Sequence, residues 1–215
     1  MELKGLQTKY LGRNIIHYKT IDSTQSEIWR LIESNNIKNG TIVIADIQTN
    51  GQGTHGRKWY TDQANNIAFS LAIELNCNIK KLDGLTIKIA ELIVKIMQEM
   101  YSIKLDIKEP NDLYSHGKKV GGILTQTKLV GENVKYLVIG IGINTSQKEF
   151  AEEVKNIATS IKNEFNADVN IEEFLSEFCN ELEKGTLGTV LNGTNCPQWY
   201  KKDQRASITI KMITK

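Results

Sequence analysis

Cysteine is scarce in this chain: Cys77, Cys179 and Cys196 form no CxxC pair, so neither a zinc knuckle nor a closed disulfide framework is expected, and a reducing cytoplasm fits. Histidine is equally sparse. His17, His55 and His116 lie far apart without an HExxH pattern, which argues against a protein-held metal. There is no GxSxG, no cysteine beside a recognisable histidine partner and no paired-carboxylate signature, so covalent or hydrolytic catalysis by the protein has no support. No run of about 18 apolar residues occurs, and the opening MELKGLQTKYLGRN lacks a signal-peptide core, so a soluble, unsecreted protein without membrane contact is expected. Charge of one sign is missing too: 27 Lys plus Arg against 25 Asp plus Glu leave +2, too little to attract nucleic acid or membrane broadly. Anion recognition must therefore be local.

What remains is a chain of 215 residues, 40% hydrophobic, long enough for one large domain with a small appendage. Thr24 and Glu27 have capping-box spacing after Asp22 and Ser23, predicting a helix over 24–35. TIVIADIQT (41–49) and IAFSLAIEL (67–75) read as strands, and helical spacing runs from Leu85 through Ile89, Ile93 and Met97 to Met100. Strands near 120–127 and 134–143 flank a loop with Gly131 and Asn133, IEEFLSEFCNELE (171–183) reads as an amphipathic helix, and SITIKMI near the end alternates as a strand with none following it. The order is mixed α+β, not regular βαβ.

Residues 48–60, QTNGQGTHGRKWY, hang from the first of these strands. Gly51, Gly53 and Gly56 satisfy GxGxxG, but RKWYTDQANN offers no helix to meet a pyrophosphate, and Arg57 stands where a Walker loop needs lysine. A plain glycine-rich connection and a loop for a phosphate or carboxylate both fit. The second is favoured by close backbone approach, by Arg57 and Lys58, and by the flat face of Trp59.

KEPNDLY (108–114) is either a type I turn or a stiff mount for the cation Lys108. GIGIN (140–144) and KKVGGIL (118–124) put glycines where strands need side chains, which means bulges or backbone approached by a ligand. Three glycine-marked places on one sheet suggest one cavity.

IDST (21–24), GQGTHGRKW (51–59), KEPNDLY (108–114), KVGGIL (119–124) and GIGIN (140–144) occur in the order and spacing of biotin-protein ligases. From about residue 15 to 205 the chain resembles the catalytic domain of that family's short form, with no helix-turn-helix before Ile15 and no DNA partner. The resemblance implies an α+β fold: a mixed, largely antiparallel sheet flanked by helices, like a class II aminoacyl-tRNA synthetase. It implies a catalytic domain over 1–190, and a linker with the start of a truncated C-terminal SH3-like barrel over 191–215.

By the same resemblance, biotin and ATP, with magnesium accompanying the ATP, give biotinyl-5'-adenylate. A lysine of the biotin carboxyl carrier domain of a carboxylase then takes the biotinyl group. Ser23, Thr24, Gln25, Gln48, Gln52 and Thr54 are expected around biotin, with Gly51, Gly53, Gly122, Gly140 and Gly142 leaving it room. Gly53, Thr54, His55, Arg57, Trp59, Asn66, Asn111 and Asn144 are expected on the nucleotide. Lys108, between carboxylate and α-phosphate, and Arg57 are the expected catalytic cations.

The chain departs from the family at Thr54, where an arginine is usual, and at Glu109, where a tryptophan is usual. The first predicts a leaky adenylate. A lipoate-ligase-like acyl-adenylate enzyme and a non-catalytic biotin or adenylate binder are the alternatives, and a homodimer through an exposed sheet edge stays open.

Overall fold

The computed structural model describes residues 3–61, 66–187 and 211–213. The first half lays down β1 (Asn14–Ile21), α1 (Thr24–Glu33), β2 (Thr41–Gln52), β3 (Lys58–Thr61), β4 (Ile67–Asn78) and α2 (Leu85–Tyr101). The second adds β5 (Asp106–Lys108), β6 (Asp112–Ser115), β7 (Lys118–Val130), β8 (Asn133–Ile143), α3 (Ile161–Phe165), α4 (Ile171–Glu181) and β9 (Lys211–Ile213). The main sheet runs β1-β2-β4-β8-β7-β6-β5, with β3 added to β2 and β9 to β7. Only the β1–β2 and β7–β9 pairs are parallel, so the mixed, largely antiparallel sheet expected from the sequence is present.

Period-two alternation sorts the central strands into two faces. Phe69, Leu71 and Ile73 of β4 and Leu137, Ile139 and Ile141 of β8 point to one side, where Ile89, Ile93, Ile96 and Met97 of α2 and Phe174 and Phe178 of α4 complete the larger core. Each such side chain contributes about 1.5–3 kcal/mol on burial. On the opposite side Val43, Ala72 and Val138 meet Ile28 and Ile32 of α1. That helix covers only part of its face.

The uncovered part is floored mainly by small residues, with Leu124 at its β7 edge. Across β7, β8 and β4, Gly122 pairs with Gly142 and Gly142 with Ala68; in the next row but one Leu124 pairs with Gly140 and Gly140 with Ser70. Cross-strand neighbours on one face lie about 4.5–5.5 Å apart, so these rows form a continuous shallow floor.

Several boundaries differ from expectation for local reasons. The α1 cap is Ser23, whose hydroxyl accepts from Ser26 N at 3.4 Å; Thr24 opens the helix and has its hydroxyl engaged elsewhere. Both hairpin strands run further than expected, leaving only Gly131 and Glu132 between β7 and β8. Strands β1, β3 and β6 escaped notice because half-buried short strands rich in polar residues carry little alternation. The C-terminal strand pairs with β7, earlier in the chain, and its residues 207–210 and the expected boundary at 190–191 lie outside the described residues. None of the described helices is long and apolar enough to cross a membrane.

Candidate functional site

A cavity of about 370 Å³ opens over the small-residue floor. Its walls come from four places: the start of α1, the end of β2 with the glycine loop, the β6–β7 region, and the segment after β8. From α1 and β2 it takes Ser23, Thr24, Gln25, Gln48 and Gln52; the loop and β3 give Gly53, Thr54, Arg57 and Trp59. Gly122, Gly140, Gly142, Asn111 and Asn144 also line it, as does Lys119.

The polar wall is a connected set of hydrogen bonds. Gln48 Oε1 accepts from Thr24 N at 2.8 Å and from Thr24 Oγ1 at 3.1 Å, and Gln48 Nε2 donates to Thr61 Oγ1 at 3.3 Å. Thr24 Oγ1 lies 2.9 Å from Ser70 Oγ, which donates to Gln25 Oε1 at 2.9 Å. All of these side chains are buried, so the polarity of the wall is set by the protein rather than by water.

At Gly140 and Gly142 the space that a side chain would fill is taken by other residues. A Cβ at Gly140 would come within 2.6 Å of Gln25 Oε1, and one at Gly142 within 2.3 Å of Trp59 Cε2. The space over these strands is thus shared by an amide, an indole and the cavity. Around the loop, Gly53 N donates to Arg57 O at 2.7 Å, while Arg57 reaches back to Thr54 through Nη2 to Oγ1 at 2.9 Å and Nε to O at 3.3 Å. Thr54 is buried and anchors the guanidinium at the cavity mouth.

Four expected residues sit elsewhere. Lys108 ends the outermost strand of the sheet, exposed, with Nζ 4.9 Å above the Tyr114 ring and 3.4 Å from its hydroxyl. It does not line the cavity, although the register Lys108–Asp112–Gly122 puts it on the same face of the sheet, one strand outside the Lys119–Asp112 pair. Gly51 pairs with Trp59 and has that residue's carbonyl where a Cβ would go, so it serves the β2–β3 contact. His55 is exposed at positive φ in the loop. Asn66 is buried, but its carboxamide accepts from Thr145 N and Ser146 N and donates to Gln147, tying β4 to the segment after β8.

Besides Arg57 and Lys58, the cavity is lined by Lys119, the one of the three that is ion-paired within it. Its ammonium is 2.6 Å from Asp112 Oδ1 and 5.8 Å from the Trp59 ring centroid, and it packs 3.4 Å from where a Cβ at Gly122 would lie. Its backbone is fixed as well: Lys119 N donates to Ile157 O and Lys119 O accepts from Thr159 N, each at 2.8 Å. Alternation alone would send residue 119 to the core, opposite Gly122. The β6–β7 register slips between Leu113 and Tyr114, so Val120 and Gly121 both face the core and Lys119 returns to the cavity side. Sequence reasoning also missed Ser70, whose only signal is a polar residue among the apolar ones of IAFSLAIEL.

Comparison with known proteins agrees with this geometry. The model of the biotin/lipoate A/B protein ligase family matches residues 18–144, the segment that builds all but one wall. The chain belongs to that family. Within the family it is 38% identical over 159 residues to the bifunctional ligase/repressor BirA of Bacillus subtilis, covering 73% of this chain and 49% of that protein. It is 30% identical over 166 residues to the biotin--[acetyl-CoA-carboxylase] ligase of Paracoccus denitrificans, covering 72% and 65%. The solved biotin protein ligase of Aquifex aeolicus in complex with biotin and ATP superposes with a TM-score of 0.66 at 32% identity, over 85% of this chain and 73% of that one. The chain thus spans about half the length of the Bacillus relative.

Proposed function

We propose that this protein is an ATP-dependent ligase that makes biotinyl-5'-adenylate and passes the biotinyl group to a lysine of a biotin carboxyl carrier domain. In the first step a biotin carboxylate oxygen bonds to the α-phosphorus of ATP and pyrophosphate leaves. In the second, the carrier lysine amine bonds to the carbonyl carbon, AMP leaves with the bonding pair, and the amine gives up a proton.

One observation carries the reading: the Lys119 ammonium, paired with Asp112, stands in a cavity that has an amide and hydroxyl wall on one side and apolar and aromatic side chains on the others. Two anions must be brought together, and charge grows on the α-phosphoryl group, so a fixed cation with restricted solvent lowers that barrier. Lys119, and not Lys108, takes this role. Arg57 at the mouth suits the departing phosphates, and Trp59 offers its face to a ring. Magnesium enters with ATP: among the described residues no group of three His, Cys, Asp or Glu could hold a metal, and phosphate oxygens with water are its usual ligands there. ATP dependence and the buried thiol of Cys179 support a cytoplasmic setting.

The test is pyrophosphate exchange with ATP, magnesium and either biotin or lipoate, followed by labelling of a carrier domain. Biotin-dependent exchange and labelling is the expected outcome. Exchange with lipoate alone would make the protein a lipoate ligase, and biotin binding without exchange would make it a binding protein.

A further inference from the structure

Two residues outside the cavity control its wall. Gln126 of β7, buried, and Trp29 of α1, half-buried, do not line the cavity, yet Gln126 Oε1 lies 3.0 Å from Gln25 Nε2 and 2.6 Å from Trp29 Nε1. An indole N–H can only donate, so its partner atom on Gln126 must be the carbonyl oxygen. The atom of Gln25 facing that oxygen must then be the amino group, which turns the Gln25 carbonyl toward Ser70 over Gly140. Ser70 has a single proton, and it is spent on Gln25.

The same logic runs in from the other end. Thr24 N–H can only donate, so Gln48 presents its carbonyl to Thr24. Thr24 Oγ1 therefore stands between two acceptors, Ser70 Oγ at 2.9 Å and Gln48 Oε1 at 3.1 Å, and gives its one proton to either of them. The Thr24 and Ser70 hydroxyls thus have no proton left for a ligand. They offer only lone pairs.

We infer that Trp29 and Gln126 are positioning residues that set the direction of this hydrogen-bond chain and so tune the cavity for a ligand carrying ring N–H donors. The inference deepens the proposed function and rests on it: a cyclic urea brings such N–H groups, whereas a dithiolane leaves the buried lone pairs unmatched. A site built around matched polar groups discriminates far more strongly than an apolar one.

Gln126→Met tests the chain, because a thioether gives the Gln25 amino group almost nothing and the amide is better turned with that group toward Ser70. Calorimetric binding of biotin and of lipoate is measured on wild type, Gln126→Met, Gln126→Glu and Trp29→Phe, with thermal midpoints as the folding control. Gln126→Met is expected to weaken biotin by about tenfold, the scale of one mismatched buried hydrogen bond, and to leave lipoate within about twofold. Gln126→Glu, which still accepts from both donors, keeps the wild-type ratio of the two affinities; Trp29→Phe leaves the direction open and falls between. Equal losses for both ligands, or equal behaviour of the Met and Glu variants, would overturn the inference while biotin binding by wild type upholds the function. A wild type that binds neither ligand would overturn both.

Discussion

The indole of Trp59 lies over Gly142, with Cε2 2.3 Å from the position that a Cβ there would take. Gly142→Ala must therefore expel the indole, because the alternative is movement of a central strand paired on both sides. The expected result is altered tryptophan fluorescence and at least about tenfold weaker nucleotide binding, the scale of losing an aromatic contact plus local strain. Unchanged emission together with unchanged affinity would refute the placement of Trp59.

The two lysines give a direct contrast. Lys119→Met is expected to slow pyrophosphate exchange by about a hundredfold or more, as for loss of one transition-state charge contact. Lys108→Met, on the exposed end of β5, is expected to leave it within about twofold, as surface substitutions usually do. Reversed effects would return Lys108 to the mechanism.

Thr54 anchors Arg57 by its hydroxyl. Thr54→Val keeps the shape and removes that anchor, and should raise the KM for ATP by about three- to tenfold, one hydrogen bond's worth, with biotin affinity unchanged. Steady-state kinetics with each substrate varied in turn would check it. Loss of the adenylate on dilution should also quicken relative to wild type, since the guanidinium then closes less firmly over it.

Asp22, one residue before the helix cap, is held down to about 2 chiefly by hydrogen bonds from Arg30. A carboxylate whose pKa falls on folding adds stability above its unfolded value near 3.9, and loses it as pH drops through the folded value. The pair is half-exposed, so the penalty of Asp22→Asn at pH 7 is expected to stay below about 1 kcal/mol. It should shrink below about pH 4 and vanish near pH 2. Urea unfolding of both proteins across that range would show it.

Much of this architecture was readable from residue order. Gly122, Gly140 and Gly142 marked a surface where side chains give way, while Ser23, Thr24 and Gln48 were placed beside it only by the family resemblance; all of them line one cavity. Lys119 was not readable. Its side depends on one extra residue in β7, and a slip of register reverses every side chain beyond it without marking the sequence. Lys108 shares its row with Asp112 and Gly122 but turns its ammonium to Tyr114, a side-chain choice that proximity to a stiff turn does not reveal. Gln126 and Trp29, 97 residues apart, meet only because α1 packs across β2, β4 and β8 and brings its indole within reach of β7, a juxtaposition that no local pattern encodes.

The base of the pocket is main chain, braced by ladders on both flanks. Any residue change at its glycines can only raise it, never deepen it. A molecule of this build can take thicker guests only by trimming what stands over those strands, Trp59 and Gln25, and never by changing the strands themselves.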